Sequence, residues 1–195
     1  MGLSERLLVR RLRRGDREAC GELIQRYHEG VFGYLRRLGA DTALAEDLTQ
    51  ETYAKAWRGI GTLRKAASLR SWLLSIARNE YFQWARGRSN EPAPIADPEE
   101  SEAGGPDPEG AVLLDERDLL VRRAVRCLDP GLRELVALHY FQGLSLREVG
   151  VVAGIPAGTA KSRIHRALER LRELLEPMEA EHEQERAGKA FADRT

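Results

Sequence analysis

The sequence predicts an all-α protein made of two small helical domains joined by a flexible acidic linker. Three observations carry that prediction. The hydrophobic fraction, 42 % of 195 residues, is rich in Leu and Ala, while aromatics make up only 6 %, a balance that favours helix over sheet. Apolar residues recur at helical spacing in two blocks, 1–86 and 112–176, and no alternating pattern signals a strand. Between the blocks, residues 87–111 hold five of the eight prolines and almost no large apolar side chain. Such a stretch cannot bury a core, and its prolines and like charges hold it extended. Residues 177–195 form a polar, acidic C-terminal tail with no apolar stripe, helical at most in part and expected as a disordered end rather than a regulatory extension.

The elements follow in order. Leu7, Leu8 and Leu12 mark a first helix that ends at a Gly15-Asp16 break. Leu23, Ile24, Tyr27, Val31, Tyr34, Leu35 and Leu38 recur at helical spacing until Gly39, giving the second. Asp41 or Thr42 caps a third helix that runs to about Trp57. Gly59-Ile60-Gly61 interrupts, and Ser68 caps a fourth that reaches about Arg86. In the second block a helix runs to about Cys127, Asp129-Pro130 restarts the chain into a helix through Phe141, and two more follow Gly143.

The net charge of zero averages unlike segments. Residues 1–86 carry 16 Lys/Arg against 10 Asp/Glu, and residues 112–176 carry 11 against 9. Residues 87–111 carry 1 against 7, and the tail 3 against 5. Two basic blocks flanking an acidic stretch suit a nucleic-acid binder whose whole-chain charge would conceal it.

The helix faces sharpen this. In 144–175, Ser145 caps a short helix, LREVGVVA, Gly154-Ile155-Pro156 makes a tight turn, and Ala157 opens a longer helix. Ala160, Ile164, Leu168, Leu171 and Leu175 fall in one stripe of that helix; Thr159, Ser162, Arg163, Arg166 and Arg170 fall opposite, with Lys161 and His165 on the flanks. A short helix, a glycine-bearing turn and a helix with a basic, hydroxyl-bearing face make a helix-turn-helix pattern. There Arg donates two bonds to a guanine edge, while Thr, Ser and Lys hold phosphates. The bland alternative is a solvated arginine face on a helical hairpin.

On the fourth helix Leu69, Leu73 and Ile76 share one side, widened by Trp72, Ala77 and Trp84. The far side presents Arg78, Tyr81 and Phe82, with Arg70 and Arg86 nearby. Aromatics interleaved with arginine suit unstacked bases; equally, Tyr81 and Phe82 pack on a neighbouring helix. The third helix sets a wide apolar arc (Ala45, Leu48, Thr52, Tyr53, Ala56, Trp57) against a narrow polar face of Asp47, Gln50, Glu51 and Arg58. An acidic face on a basic domain does not suit nucleic acid; it meets either a basic protein partner or water.

The segments AEDLTQETYAKAW (45–57), LRSWLLSIARNEYFQWAR (69–86) and LDPGLRELVALHYFQGLSLREVGVVAGIPAGTAKSRIHRALERLRELL (128–175) resemble a bacterial sigma factor of the extracytoplasmic-function type, which keeps only sigma regions 2 and 4. The resemblance covers roughly residues 5–86 and 112–175. It implies that region 2 docks on the β′ clamp helices of core RNA polymerase, with the β subunit as a further contact, through the segment carrying Asp47, Gln50 and Glu51. The next helix and the loop before it, about 60–68, would read the −10 element of promoter DNA as melted single strand. By position Asn79 lies at the pocket for a flipped base, with Arg78, Tyr81, Phe82 and Arg86 close by, while Trp72 matches a core position. Region 4 would read the −35 element as duplex through Thr159, Lys161, Ser162, Arg163, His165 and Arg166. Ala160 stands where a larger β-branched residue is commoner, and Gly150-Val151-Val152 where more polar residues usually follow. The resemblance further implies an anti-sigma factor as partner and a linker threading the polymerase cleft.

Other classes find little in the sequence. There is no phosphate-cradling glycine-rich loop, and His28, His139, His165 and His182 lack metal-ligand spacing with the two cysteines. No cofactor, metal or catalytic residue is therefore expected. Cys20 and Cys127 are expected as small buried thiols. With no apolar run long enough for a membrane span and no signal-peptide pattern, the chain reads as cytoplasmic. The main competitor is a stand-alone helix-turn-helix regulator that uses residues 1–86 for dimerisation or effector binding; a pure protein-interaction adaptor is the third class.

Overall fold

The computed structural model describes residues 3–63, 69–88 and 116–192. Among them the secondary structure is helical, with no strand. The helices are α1 (Leu3–Leu12), α2 (Arg17–Leu38), α3 (Thr42–Gly59), α4 (Leu69–Arg88), α5 (Glu116–Arg126), α6 (Pro130–Val136), α7 (Leu146–Ala153) and α8 (Ala157–Ala192). A short 3-10 turn, Ile60–Thr62, follows α3, and a π-helical turn, Ala137–Phe141, prolongs α6. The all-α expectation holds.

Local chemistry sets the boundaries. The Asp16 carboxylate accepts from the backbone N–H of Glu18 and Ala19 at 2.9 and 3.2 Å and so caps α2. Arg11 donates to the same carboxylate at 2.7 Å, and this bond holds the Asp16 carboxyl below its usual range. Gly39, at φ 115°, closes α2 in a conformation that a side chain would strain. Of the two candidate caps for α3 it is Asp41 that serves, accepting from Leu44 N–H at 2.8 Å. Ser68, the expected cap of α4, lies outside the described residues.

α2 is the central strut. Leu23, Tyr27, Val31, Tyr34, Leu35 and Leu38 are buried along it, and α1, α3 and α4 pack around it. Ile24, grouped with these by spacing, lies at the edge of the stripe and is 36 % exposed. On α4 the buried apolar residues are Leu69, Leu73, Leu74 and Ala77, with Ile76, Trp72 and Trp84 packed half-buried around them. Each of these fully buried leucines contributes about 1.5–3 kcal/mol. Glu80 is buried on α4 but bonded to Lys55 of α3 at 2.5 Å, so its charge has a partner.

In the second block α8 buries Ala160, Ile164, Ala167 and Leu171. Leu168 was placed in this stripe by the sequence but is exposed. At 100° per residue it stands about 80° from Ala160, whereas Ala167 stands only about 20° away. α5 joins through a small cluster of Ala124, Val125, Leu128, Val136, Ala167 and Leu171. The two blocks do not stand apart: one apolar cluster runs from Leu8 through α2–α4 into Leu135, Leu138, Val149, Val152 and Ile164. The linker, 87–111, lies outside the described residues apart from its first two.

Two expectations are corrected. α8 continues through Pro177 to Ala192, so most of the tail is helical rather than disordered. Its Glu, Ala, Gln, Lys and Arg residues are good helix formers, and they extend a helix already nucleated. Cys127 is exposed, because it follows the last turn of α5, while Cys20 is half-buried; both are free thiols. No helix among the described residues is long and apolar enough to cross a membrane.

Candidate nucleic-acid interface

The pair α7–α8 is built for close approach. A reciprocal cap opens α7: the Ser145 hydroxyl accepts from Glu148 N–H at 3.4 Å, and the Glu148 carboxylate accepts from Ser145 N–H at 3.0 Å. Gly154, at φ 69°, turns the chain, and Ile155 N–H donates to the Gly150 carbonyl at 2.9 Å. A Cβ on Gly150 would sit 2.6 Å from the Ile155 carbonyl oxygen and 3.3 Å from the Ala157 nitrogen. Glycine is therefore required where the sequence showed only an unusual Gly-Val-Val. Ala160, also unusual, is fully buried, and its small side chain lets α8 seat tightly.

This seating leaves one face of α8 in solvent. Lys161, Ser162, Arg163, His165 and Arg166 are all exposed, and Thr159 is half-buried at the helix start. Among the described residues Lys161, Arg163 and Arg166 pair with no carboxylate, whereas Arg170 is tied to Glu173 at 2.8 Å and His165 lies 3.4 Å from Glu169. Three unneutralised cations and a hydroxyl side by side offer donors of the kind that phosphates and base edges accept.

α4 is different. Asn79 and Arg86 are exposed, but Arg78, Tyr81 and Phe82 are half-buried. The Tyr81 hydroxyl donates to the Leu38 carbonyl at 2.7 Å, so this ring braces α4 against the end of α2. Phe82 meets Tyr81 edge-on at 5.5 Å and carries the Arg78 guanidinium over its face at 4.7 Å. That guanidinium also pairs with Glu134 of α6. The carboxylate is 4 % exposed and accepts a third bond from the Tyr34 hydroxyl at 3.3 Å. Burial and the adjacent Glu134 raise the Tyr34 hydroxyl well above its usual pKa, so it stays a donor. The loop at 64–68 lies outside the described residues.

On α3 Asp47 and Gln50 are exposed, with Ala45, Leu48, Thr49, Thr52, Tyr53 and Ala56 buried on the other sides. Glu51 is half-buried and shared between Arg58 at 3.1 Å and Lys55 at 3.8 Å. Of the two carboxylates assigned to this face, only Asp47 is uncommitted among the described residues. Glu134, Gln142 and Gly150 had no role in the sequence reading. The signal for Glu134 was its place directly before the apolar run Leu135–Leu138, where a carboxylate needs a partner.

A Sigma-70 region 2 family model matches residues 23–91, and a Sigma-70, region 4 model matches residues 124–173. The chain is 33 % identical over 180 residues to the RNA polymerase sigma-H factor of Pseudomonas aeruginosa, covering 88 % of this chain and 93 % of the relative. It is 30 % identical over 185 residues to the ECF RNA polymerase sigma-E factor of Escherichia coli, covering 90 % and 96 %. Among solved structures, the sigma factor RpoE of Bartonella quintana, determined with the anti-sigma factor NepR, superposes with a TM-score of 0.65 at 27 % identity, covering 80 % of this chain and 96 % of that one. CnrH, determined with the cytosolic domain of CnrY, shares the fold at a TM-score of 0.67 and 23 % identity, covering 89 % and 97 %. With both regions matched in order and near-full-length relatives of one kind, the chain belongs to the sigma-70 family as an extracytoplasmic-function RNA polymerase sigma factor, a director of transcription.

Proposed function

We propose that this sigma factor docks on core RNA polymerase, reads the −35 element as duplex with α8, and captures the −10 element as melted single strand with α4 and the loop before it. Residues 1–86 then form the polymerase-binding and melting module, 112–176 the −35 module, and 87–111 the spacer. The observation that carries the reading is the solvent-facing surface of α8, where Lys161, Arg163 and Arg166 stand unneutralised beside Ser162. Arg163 and Arg166 are suited to guanine edges; Lys161, Ser162, Thr159 and His165 hold the backbone.

On α4 the exposed Asn79 offers an amide to a base edge, and Phe82 offers a ring for stacking, with Arg78 and Arg86 at the phosphates. Tyr81 supports Phe82 from below. Holding an unstacked base offsets the few kcal/mol that opening a base pair costs, so capture lowers the barrier to melting without changing any bond. Asp47, Gln50 and Glu51 of α3 face the β′ clamp helices, with the β subunit as a further contact. An anti-sigma factor is the expected inhibitor, by analogy with the RpoE relative solved with NepR.

The test is co-elution of the purified chain with sigma-free core RNA polymerase in the absence of DNA, which needs no knowledge of the promoter. A stoichiometric complex is expected. A folded, inhibitor-free chain that fails to co-elute would instead support the stand-alone DNA-binding regulator.

A further inference from the structure

Among the described residues three side chains reach a backbone carbonyl far along the chain. Gln142 donates to Gly30 at 2.9 Å between the two blocks, and Tyr81 to Leu38 at 2.7 Å within the first. The third is Arg13, whose guanidinium donates to the Leu63 carbonyl across 50 residues of chain. Leu63 is the last described residue before 64–68, the remainder of the loop assigned to the −10 strand. It is 3 % exposed, and a backbone carbonyl so buried requires a donor.

Both ends of this bond are held. On the acceptor side, Leu63 N–H donates to the Ile60 carbonyl at 3.3 Å and the Thr62 hydroxyl to the Gly59 carbonyl at 2.7 Å, which closes the turn on itself. Leu63 then leaves the turn extended, at φ −65° and ψ 109°. Its carbonyl belongs to the planar peptide shared with residue 64, so the bond from Arg13 fixes the plane from which the loop departs. On the donor side, α1 buries Leu8, Val9 and Leu12 in the same apolar cluster as Ile60 and Leu63. Gly15, at φ 77°, turns the chain, and the N–H groups of Arg14 and Asp16 donate to the Arg11 carbonyl at 3.0 and 3.2 Å. The Arg11 side chain is itself tied to Asp16 at 2.7 Å and Glu22 at 3.0 Å. Arg13 therefore stands on a braced turn.

We propose that Arg13 is a positioning residue for −10 capture: from the end of α1 it holds the Leu63 carbonyl, and with it the entry of the strand-reading loop, without touching a nucleotide. This rests on the assignment of that loop and α4 to the −10 strand. Without the bond the buried carbonyl loses its donor, and the peptide after Leu63 turns to find another. The loop then spends only a fraction of its time in the strand-reading arrangement. Sequence-specific binding weakens by that fraction, whereas the phosphate contacts assigned to Arg78 and Arg86 are indifferent to it.

The test uses core polymerase loaded with the full-length protein and a pool of short random-sequence single strands, with core alone as the blank. The bound fraction is sequenced against the input. Arg13→Met keeps the apolar stem and loses the donors. It is expected to keep the thermal midpoint and co-elution with core, and to lower enrichment of the preferred sequence about tenfold, as the loss of one charge-assisted hydrogen bond implies. Arg13→Lys, with a point charge in place of the fork, is expected to recover part of that enrichment; should Arg13→Met fold poorly, Arg13→Lys carries the comparison with the unaltered chain. Arg14→Met removes the same charge one residue on. Arg14 is exposed and pairs with no carboxylate among the described residues, so enrichment is expected to stay unchanged. Asn79→Ala, a direct change at the proposed pocket, is expected to abolish it. Enrichment kept by Arg13→Met and lost by Asn79→Ala overturns the positioning role alone. Enrichment kept by both overturns it together with the assignment of α4 and its loop. A loss in Arg14→Met as large as in Arg13→Met, or an equal loss of co-elution with core, also overturns it, in favour of bare charge or of general stability.

Discussion

Gly150 sets the geometry on which every contact made by α8 depends. The nearest atom to a Cβ there is a backbone oxygen, Ile155 O at 2.6 Å, which no rotamer change can move aside. Gly150→Ala therefore forces α7 and the turn apart, at a cost of about 1–3 kcal/mol by analogy with overpacked cores. The expected result is a fall of several degrees in thermal midpoint together with weakened binding to −35 duplex. An unchanged midpoint would mean that the turn adapts freely. Arg166→Ala tests the same helix from its outer face. Arg166 is exposed and pairs with no carboxylate among the described residues, so its removal leaves the fold alone. Duplex binding is expected to weaken by about 1–3 kcal/mol while binding to core polymerase is kept. Equal loss of both would point to misfolding or to the wrong face.

At the scale of elements, α3 carries the sharpest test. Asp47 and Glu51 both belong to its polar face, but Glu51 is shared by Lys55 and Arg58, so its removal releases Arg58, while Lys55 keeps Glu80, as well as deleting an anion. Asp47→Ala is the cleaner probe. It is expected to weaken co-elution with core polymerase several-fold and leave the helical content unchanged, and Glu51→Ala is expected to add to the loss. Full affinity in the double variant would remove α3 from the interface. α3 also shows which features were legible in the sequence. Its cap, Asp41, and its buried arc follow from local rules, as do Asp16, Gly39, Ser145 and Gly154, because each acts on backbone within a few residues. The α8 face was legible for the same reason, being one stripe of one helix. α4 was legible only in part. Its polar side faces α6 and the end of α2, so Arg78 is tied to Glu134, 56 residues away, and Tyr81 to the Leu38 carbonyl, 43 residues away. Helical spacing names the side of a helix but not what covers it. Glu134 and Gln142 escaped notice because their roles exist only between the two blocks.

The whole molecule poses a problem of reach. α4 packs on α7 and α7 on α8, so the assigned −10 and −35 readers lie about two helix-packing distances apart, roughly 20 Å. The promoter elements they are assigned to stand about 25 base pairs apart, roughly 85 Å of B-form duplex at about 3.4 Å per pair. No side-chain adjustment closes that gap, so the two regions must separate on the promoter with the linker as their only covalent tie. Residues 87–111 number 25, and a fully extended chain of that length reaches roughly 85 Å at about 3.3–3.6 Å per residue. The match makes linker length a functional variable. Removing 97–108 would leave 13 residues, roughly 45 Å at full extension. That chain is expected to co-elute with core polymerase and to bind −35 duplex as the full-length protein does, since both depend on one block at a time. Promoter-directed initiation, which needs both elements held at once, is expected to fall at least about tenfold, because tethered sites gain nothing when the tether cannot span them. Replacing the deleted stretch with Gly and Ser of equal length separates reach from charge: it is expected to restore initiation if length is what matters. A shortened chain that initiates like the full-length one would show that the two regions never need to part so far.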